Sequence, residues 1–280
     1  MNKTLAIFEL MRFDKPIGIY LLLWPALLAL VISTNGDFEY SHLLIVIIGS
    51  ILVRSAGCVI NDIWDKDLDG DVERTKTRPI PSKKLSIFES WTVFGALGLF
   101  SLMLLSLTNT NTILISLCFG FMIVLYPLTK RFFIGPQIFL GLTFNPTIIV
   151  YAMTNELNNP TMIFLYLAVA AQTIAFDSFY GLCDIEDDKK LGINSTPLWW
   201  GSKTLLIIAI LQFAVISFLM VVGFKAELSS AWYIGIILLS GFYFYQHRLA
   251  SQKDFLLAFK NNHWASLYLL FLSVFCFLII

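Results

Sequence analysis

Two short stretches concentrate carboxylates in this chain. The first reads Asn61-Asp62-Ile63-Trp64-Asp65-Lys66-Asp67-Leu68-Asp69-Gly70-Asp71 and the second Asp184-Ile185-Glu186-Asp187-Asp188. The pair Asp65-x-x-x-Asp69 recurs as Asp184-x-x-x-Asp188 at an offset of 119 residues. Positions i and i+4 share a helix face. If the helices run on through these stretches, Asn61, Asp62, Asp65 and Asp69 line one face, and Asp184 and Asp188 line another with Asp177 two turns deeper. Carboxylates packed this closely repel one another unless a cation or a basic partner compensates. Hard oxygen ligands suit Mg²⁺, which keeps some of its waters and binds through a few carboxylates plus substrate phosphates. Two facing acidic helices could therefore hold Mg²⁺ bridging a diphosphate, with Arg74, Lys76, Arg78, Lys130, Arg131, Lys189 and Lys190 near enough in sequence to pair its remaining charge. A solvated acidic loop would explain either stretch alone, but not its repetition. A calcium-binding hand needs glycine at its sixth position and glutamate at its twelfth; counting from Asp62 these are Asp67 and Glu73, so only the second fits.

The elements that must position these groups are apolar. Of 280 residues, 58% are hydrophobic and 14% charged, and 19 acids balance 19 bases. Soluble domains carry roughly 25% charge, so lipid is the natural solvent for this surface. Zero net charge gives no reason to expect a nucleic-acid partner. Apolar runs recur at 17–33, 42–61, 87–107, 112–126, 136–153, 161–182, 205–224, 231–245 and 264–280, which predicts an all-α polytopic membrane protein of about nine spans. The first run has no small-x-small cleavage site and reads as a first span. Lys and Arg crowd the stretches before the first run and after the second, fourth, sixth and eighth, whereas the opposite connections contain Lys225 alone. The positive-inside rule then places the N-terminus and both acidic stretches in the cytoplasm and the C-terminus outside. The acidic stretches follow the second and sixth runs, suggesting two four-helix halves plus a ninth helix. Cys58, Cys118, Cys183 and Cys276 match no metal or disulfide spacing.

Two charges fall well inside apolar runs. Arg54 lies about 16 Å along a helix from Asp65, and Asp177 lies within the sixth run. Intramembrane charges face the bundle interior, where they pair or serve function. Arg54 and Asp177 could be each other's partner, or Asp177 could contact substrate or accept a proton. Tyr126 and Lys130 are four apart at the end of the fourth run, where an interfacial anchor is the plain alternative. Among 25 Phe, 10 Tyr and 7 Trp, a few lining a cavity could stabilise a carbocation.

Taken together, Asn61-Asp62-x-x-Asp65-x-x-x-Asp69, Tyr126-x-x-x-Lys130 and Asp184-x-x-x-Asp188 resemble the UbiA superfamily of intramembrane aromatic prenyltransferases. Within it, Met11 to Gly18, Arg54 to Asp62, Arg74 to Ser82, and Asp177 to Lys189 with Gly192 to Thr196 look like the 4-hydroxybenzoate polyprenyltransferases of ubiquinone biosynthesis. The resemblance covers nearly the whole chain, as one transmembrane domain over residues 1–280. It implies that Asp62, Asp65, Asp69, Asp184 and Asp188, with Asn61, hold Mg²⁺ and polyprenyl diphosphate. Lys130, with Arg131 and Arg78, then steadies the leaving diphosphate, and the allylic cation alkylates the ring carbon beside the phenol of 4-hydroxybenzoate. Arg54 is expected at the acceptor's carboxylate, with Tyr126 and Asp177 in the substrate site. The setting implied is the bacterial inner membrane, with no protein partner. Gly181 after Tyr180, and bulky Trp199-Trp200, depart from the pattern without touching a proposed ligand. A transporter with an acidic gate, a membrane scaffold and a family member using a naphthoate or haem acceptor are the competing readings. Acids at the mouth, not at midplane, argue against the transporter.

Overall fold

The computed structural model describes residues 3–70 and 75–278, and within them the chain is all-helical. Asp71 and Arg74 lie outside the described residues. Helix α1 (Lys3–Leu10), which the hydropathy pattern did not announce, precedes α2 (Ile17–Ser33), α3 (Tyr40–Trp64), α4 (Ile87–Leu105) and α5 (Thr110–Thr129). Short helices α6 (Pro136–Thr143) and α7 (Thr147–Met153) lead into α8 (Thr161–Cys183). After α9 (Ile185–Leu191) and α10 (Thr196–Trp200) come α11 (Thr204–Lys225), α12 (Ser230–Ser251) and α13 (Phe255–Leu278).

Each of the nine apolar runs falls on helix, but nine counts apolar segments and not uninterrupted spans. Among the described residues six helical stretches are long and apolar enough to cross a membrane, and α2 is shorter at 17 residues. The fifth run is two helices. Asn145 precedes Pro146, a position disfavoured for helix. The break is then fastened by Asn145, whose Nδ2 donates to the Tyr166 carbonyl at 2.9 Å and whose Oδ1 accepts from the Thr147 amide at 3.2 Å. Outward-facing Phe100, Phe121, Phe213, Phe244 and Phe271 are exposed on α4, α5, α11, α12 and α13. So much apolar surface is a lipid face, and the chain is a multi-pass membrane protein.

Local signals set the helix ends. A reciprocal capping box starts α4, with Ser86 Oγ accepting from the Glu89 amide at 3.2 Å and Glu89 Oε2 from the Ser86 amide at 2.8 Å. Asn109 caps α5 by accepting from the Thr112 amide at 2.9 Å. Two cores matter for the site. Trp232, Tyr151, Leu165 and Leu30 knit α2, α7, α8, α11, α12 and α13 together. Ala6 and Leu10 of α1 pack with Val59, Ile63, Ile80, Leu85 and Leu97, which holds α1 and residues 80–85 against the end of α3.

Candidate active site

Both acidic stretches sit where long helices stop. Helix α3 ends at Trp64, so Asp65 is its C-cap and Asp69 belongs to the following turn, its amide bonded to the Asp65 carbonyl at 2.8 Å. The expectation of one unbroken helix from Asn61 to Asp69 is corrected here. Asp184 likewise caps α8 and opens α9, whose last turn closes on Gly192 at φ 67°. The Asn194 amide donates to the Lys130 carbonyl at 2.9 Å, drawing the second acidic loop over the end of α5.

These ends open into one cavity of about 1050 Å³. Twelve of the residues singled out from the sequence line it: Arg54, Asn61, Asp62, Asp65, Asp69, Arg78, Tyr126, Lys130, Arg131, Asp177, Asp184 and Asp188. Lys76, Lys189 and Lys190 lie outside the lining, and Lys190 instead stands 3.7 Å from Asp187 on the surface. Two of the lining bases are already committed. Arg131 donates to the Trp64 carbonyl at 2.7 Å, satisfying the end of α3. Arg78 bonds Asp69 at 2.8 and 3.0 Å and Asp62 at 3.1 Å.

Arg12 is the residue that the sequence reading passed over as a topological charge. It adopts φ 62° and bonds both oxygens of Asp62 at 2.7 Å. Asp62 is 1% exposed, and a buried carboxylate needs such a partner. Burial penalises the Arg12 guanidinium most, but its pKa still stands above the ordinary value, with Asp62 the main group opposing the penalty. Burial pushes the Asp69 carboxyl up; Arg78 opposes the shift and Asp62 reinforces it. Lys130 is likewise disfavoured by burial, yet Asp65, 3.5 Å away, and Asp177 raise it above the usual lysine range, so it stays charged. Asn61 Nδ2 donates to Asp65 Oδ2 at 3.1 Å.

Among the described residues no three His, Cys, Asp or Glu side chains converge as a ready metal site. The physical reason is visible: Arg12 and Arg78 neutralise Asp62 and Asp69 directly. The donor chemistry nonetheless fits a hard divalent cation. Asp62, Asp65, Asp69, Asp184 and Asp188 offer oxygen alone, Asn61 has an amide oxygen, and all six share the cavity.

Deeper in the cavity, Arg54 lies against Gly18, where an added Cβ would collide with its guanidinium. Its charge stands 5.4 Å from the Phe144 ring centroid, a ring that the break before Pro146 brings to the cavity wall. Arg54 Nε is buried without a hydrogen-bond partner. Among the described residues no direct ion pair joins Arg54 to Asp177, although both line the same cavity.

Residues 22–275 match the UbiA prenyltransferase family. The chain belongs to that family. It is 41% identical over 262 residues to the 4-hydroxybenzoate octaprenyltransferase of Alcanivorax borkumensis, covering 92% of this chain and 90% of the relative. It is 39% identical to the Vibrio campbellii protein of the same name, covering 95% of each. The fold matches an apo UbiA homolog from Aeropyrum pernix with a TM-score of 0.80 at 20% identity, over 90% of this chain and 94% of that one. It also matches a UbiA homolog from Archaeoglobus fulgidus bound to GPP and Mg²⁺, with a TM-score of 0.74 at 18% identity over 98% and 100%. Against the UbiA pattern, the departure at Gly181 has a packing reason: an added Cβ would press within 3.1 Å of Pro197 at the start of α10.

Proposed function

We propose that this chain transfers a polyprenyl group from polyprenyl diphosphate to the ring carbon ortho to the phenol of 4-hydroxybenzoate, releasing diphosphate, in ubiquinone biosynthesis. It does so as a single Mg²⁺-dependent transmembrane domain of the bacterial inner membrane, with its acidic loops cytoplasmic. One observation carries the reading. A single cavity joins two acid-bearing helix ends to an intramembrane arginine whose Nε has no partner. The near-full-length relatives that carry this activity in their names support the choice of acceptor.

Each residue then has a task. Asp62, Asp65, Asp69, Asp184 and Asp188, with Asn61, would hold Mg²⁺, which when bound would supply positive charge to neutralise the diphosphate. Lys130, Arg78 and Arg12 are the cations at the same mouth and steady the charge that grows on diphosphate as the allylic C–O bond breaks, its electron pair leaving with oxygen. Arg54 grips the acceptor's carboxylate with its fork, and Tyr126 shapes the wall between. The ring forms the new C–C bond, and Asp177 stands on the cavity wall to take the ring proton. Apolar walls keep out water, which would capture the cation.

The test is transfer of labelled prenyl diphosphate to 4-hydroxybenzoate in purified membranes. Activity should vanish with chelator and return with Mg²⁺. Asp65→Ala and Asp184→Ala should each lose on the order of a hundredfold or more while still inserting. Full activity of either variant removes the two-cluster mechanism.

A further inference from the structure

Helix α13 brings a histidine to the cavity wall with its tautomer already chosen. Trp24 Nε1 lies 2.8 Å from His263 Nδ1. An indole N–H can only donate, so Nδ1 must accept, and the neutral ring carries its proton on Nε2. A protonated ring would set donor against donor. Aromatic contacts hold the ring: Tyr20 is 4.9 Å away, Trp24 5.8 Å, and Trp264 4.7 Å on an edge. Tyr20 itself stacks on Trp24 at 5.6 Å with 7° between planes. Tyr20 and His263 line the large cavity, whereas Trp24 stands behind them. Among the described residues Trp24 is the only hydrogen-bond partner of the His263 ring, so Nε2–H is a free donor.

A free donor in this position discriminates between ligands. The neighbouring wall is mostly Ile17, Tyr20, Leu256 and Phe259, a surface for hydrocarbon, with Lys260 one turn before His263 as its one charge, yet a prenyl tail has no atom that accepts a hydrogen bond. The diphosphate belongs to the acidic mouth, and His263 is about 12 Å along α13 from the start of that helix. The guanidinium of Arg54 meets α2 at Gly18, and His263 meets the same helix at Tyr20 and Trp24. That offset of about 3 to 9 Å along α2 is one that a benzene ring with a polar substituent can bridge.

Building on the acceptor reading above, we propose that His263 is a positioning residue for the aromatic acceptor, donating its Nε2–H to one of the acceptor's oxygens while Trp24 fixes the tautomer. The full chain in membranes or detergent serves as the test, with kinetics for both substrates. His263→Phe should raise KM for 4-hydroxybenzoate about tenfold, the loss of one hydrogen bond, and leave KM for the prenyl diphosphate unchanged. His263→Gln, which carries an amide N–H at the same reach, should restore most of the affinity. Trp24→Phe, which frees the tautomer, should fall between. Benzoate, which lacks the phenol oxygen, and phenol, which lacks the carboxylate, tested as competitors, identify the oxygen: the analogue whose inhibition is unchanged by His263→Phe is the one lacking the contacted group. Equal loss of affinity for both substrates, or a Gln variant no better than Phe, overturns the proposal. Failure of the wild-type chain to prenylate 4-hydroxybenzoate overturns the acceptor reading itself and is seen before any variant is made.

Discussion

Arg54 owes its position to a residue with no side chain. Its guanidinium occupies the space that a Cβ on Gly18 would take, and it stands over the face of Phe144, with no carboxylate in direct ion-pair contact among the described residues. Because the colliding atoms are the end of a flexible side chain, Gly18→Ala should fold at normal abundance while displacing the guanidinium. KM for 4-hydroxybenzoate should then rise about tenfold or more, as for Arg54→Lys, since a charge-assisted hydrogen bond is worth about 1.5–3 kcal/mol. If either substitution weakens only the prenyl diphosphate, Arg54 belongs to the phosphate site. Arg12 makes the complementary case. Its two 2.7 Å bonds to nearly inaccessible Asp62 mean that Arg12→Gln leaves a buried carboxylate with Arg78 alone. Removing one partner from such a pair costs about 3–5 kcal/mol where no other remains, so a somewhat smaller loss, read as a lower melting temperature in chelator, is expected. An unchanged melting temperature would show that Arg78 suffices. The acidic residues and Arg54 were legible in sequence because charge in an apolar run is conspicuous. Arg12 was not, because a base just before a first span has an ordinary topological explanation, and only its left-handed backbone turns it inward.

Helices are where the sequence spoke most plainly and where its limits have local causes. Apolar length found every long helix, but it stopped short in α12 and α13, where Gln246 and Asn262 are buried amides. Gln212 Nε2 donates to Gln246 Oε1 at 2.8 Å, Gln246 Nε2 to Asn261 Oδ1 at 3.0 Å, and Gln172 Nε2 to Asn262 Oδ1 at 2.7 Å, with Tyr243 donating to Gln172 at 2.6 Å. Hydropathy leaves Gln246, Asn261 and Asn262 outside the apolar runs, whereas pairing across α8, α11, α12 and α13 lets these amides join the bundle. Such bonds are modest in membranes, about 0.6 kcal/mol on average. Gln246→Leu breaks two at once and leaves Gln212 Nε2 and Asn261 Oδ1 without that partner, although Gln212 Oε1 keeps His247 at 2.9 Å, so thermal unfolding in detergent should fall by a few degrees, with catalysis at low temperature retained. A variant as stable as the wild type would mean that water satisfies the stranded amides. The break in the fifth run was equally hidden, because an apolar count does not register that Asn145 precedes a proline. That break matters to function, since it delivers Phe144 to the cavity beside Arg54.

For the molecule as a whole, parity is the strongest constraint. The ends of α3 and α8 share one cavity, so the chain must cross an even number of times between them. Helices α4, α5 and α8 are three crossings by length and hydropathy, which obliges the broken pair α6 and α7 to make a fourth. The contacts agree: Asn109, between α4 and α5, donates to the Ala152 carbonyl at 2.7 Å, so the end of α7 lies with the end of α4 and away from the acids. Bases gather on the acid-bearing face, and the positive-inside rule predicts that this face is cytoplasmic. Reporter fusions after Leu107 and Met153 should therefore report the outside, and fusions after Ser82, Lys190 and Lys253 the cytoplasm. The informative position is Met153. If α6 and α7 only dipped into the bilayer and returned, Met153 would report cytoplasm, α8 would carry Asp184 and Asp188 to the outer face, and the two acidic clusters could not hold one diphosphate. A cytoplasmic signal there, with an outside signal at Lys190, would end the shared-site mechanism.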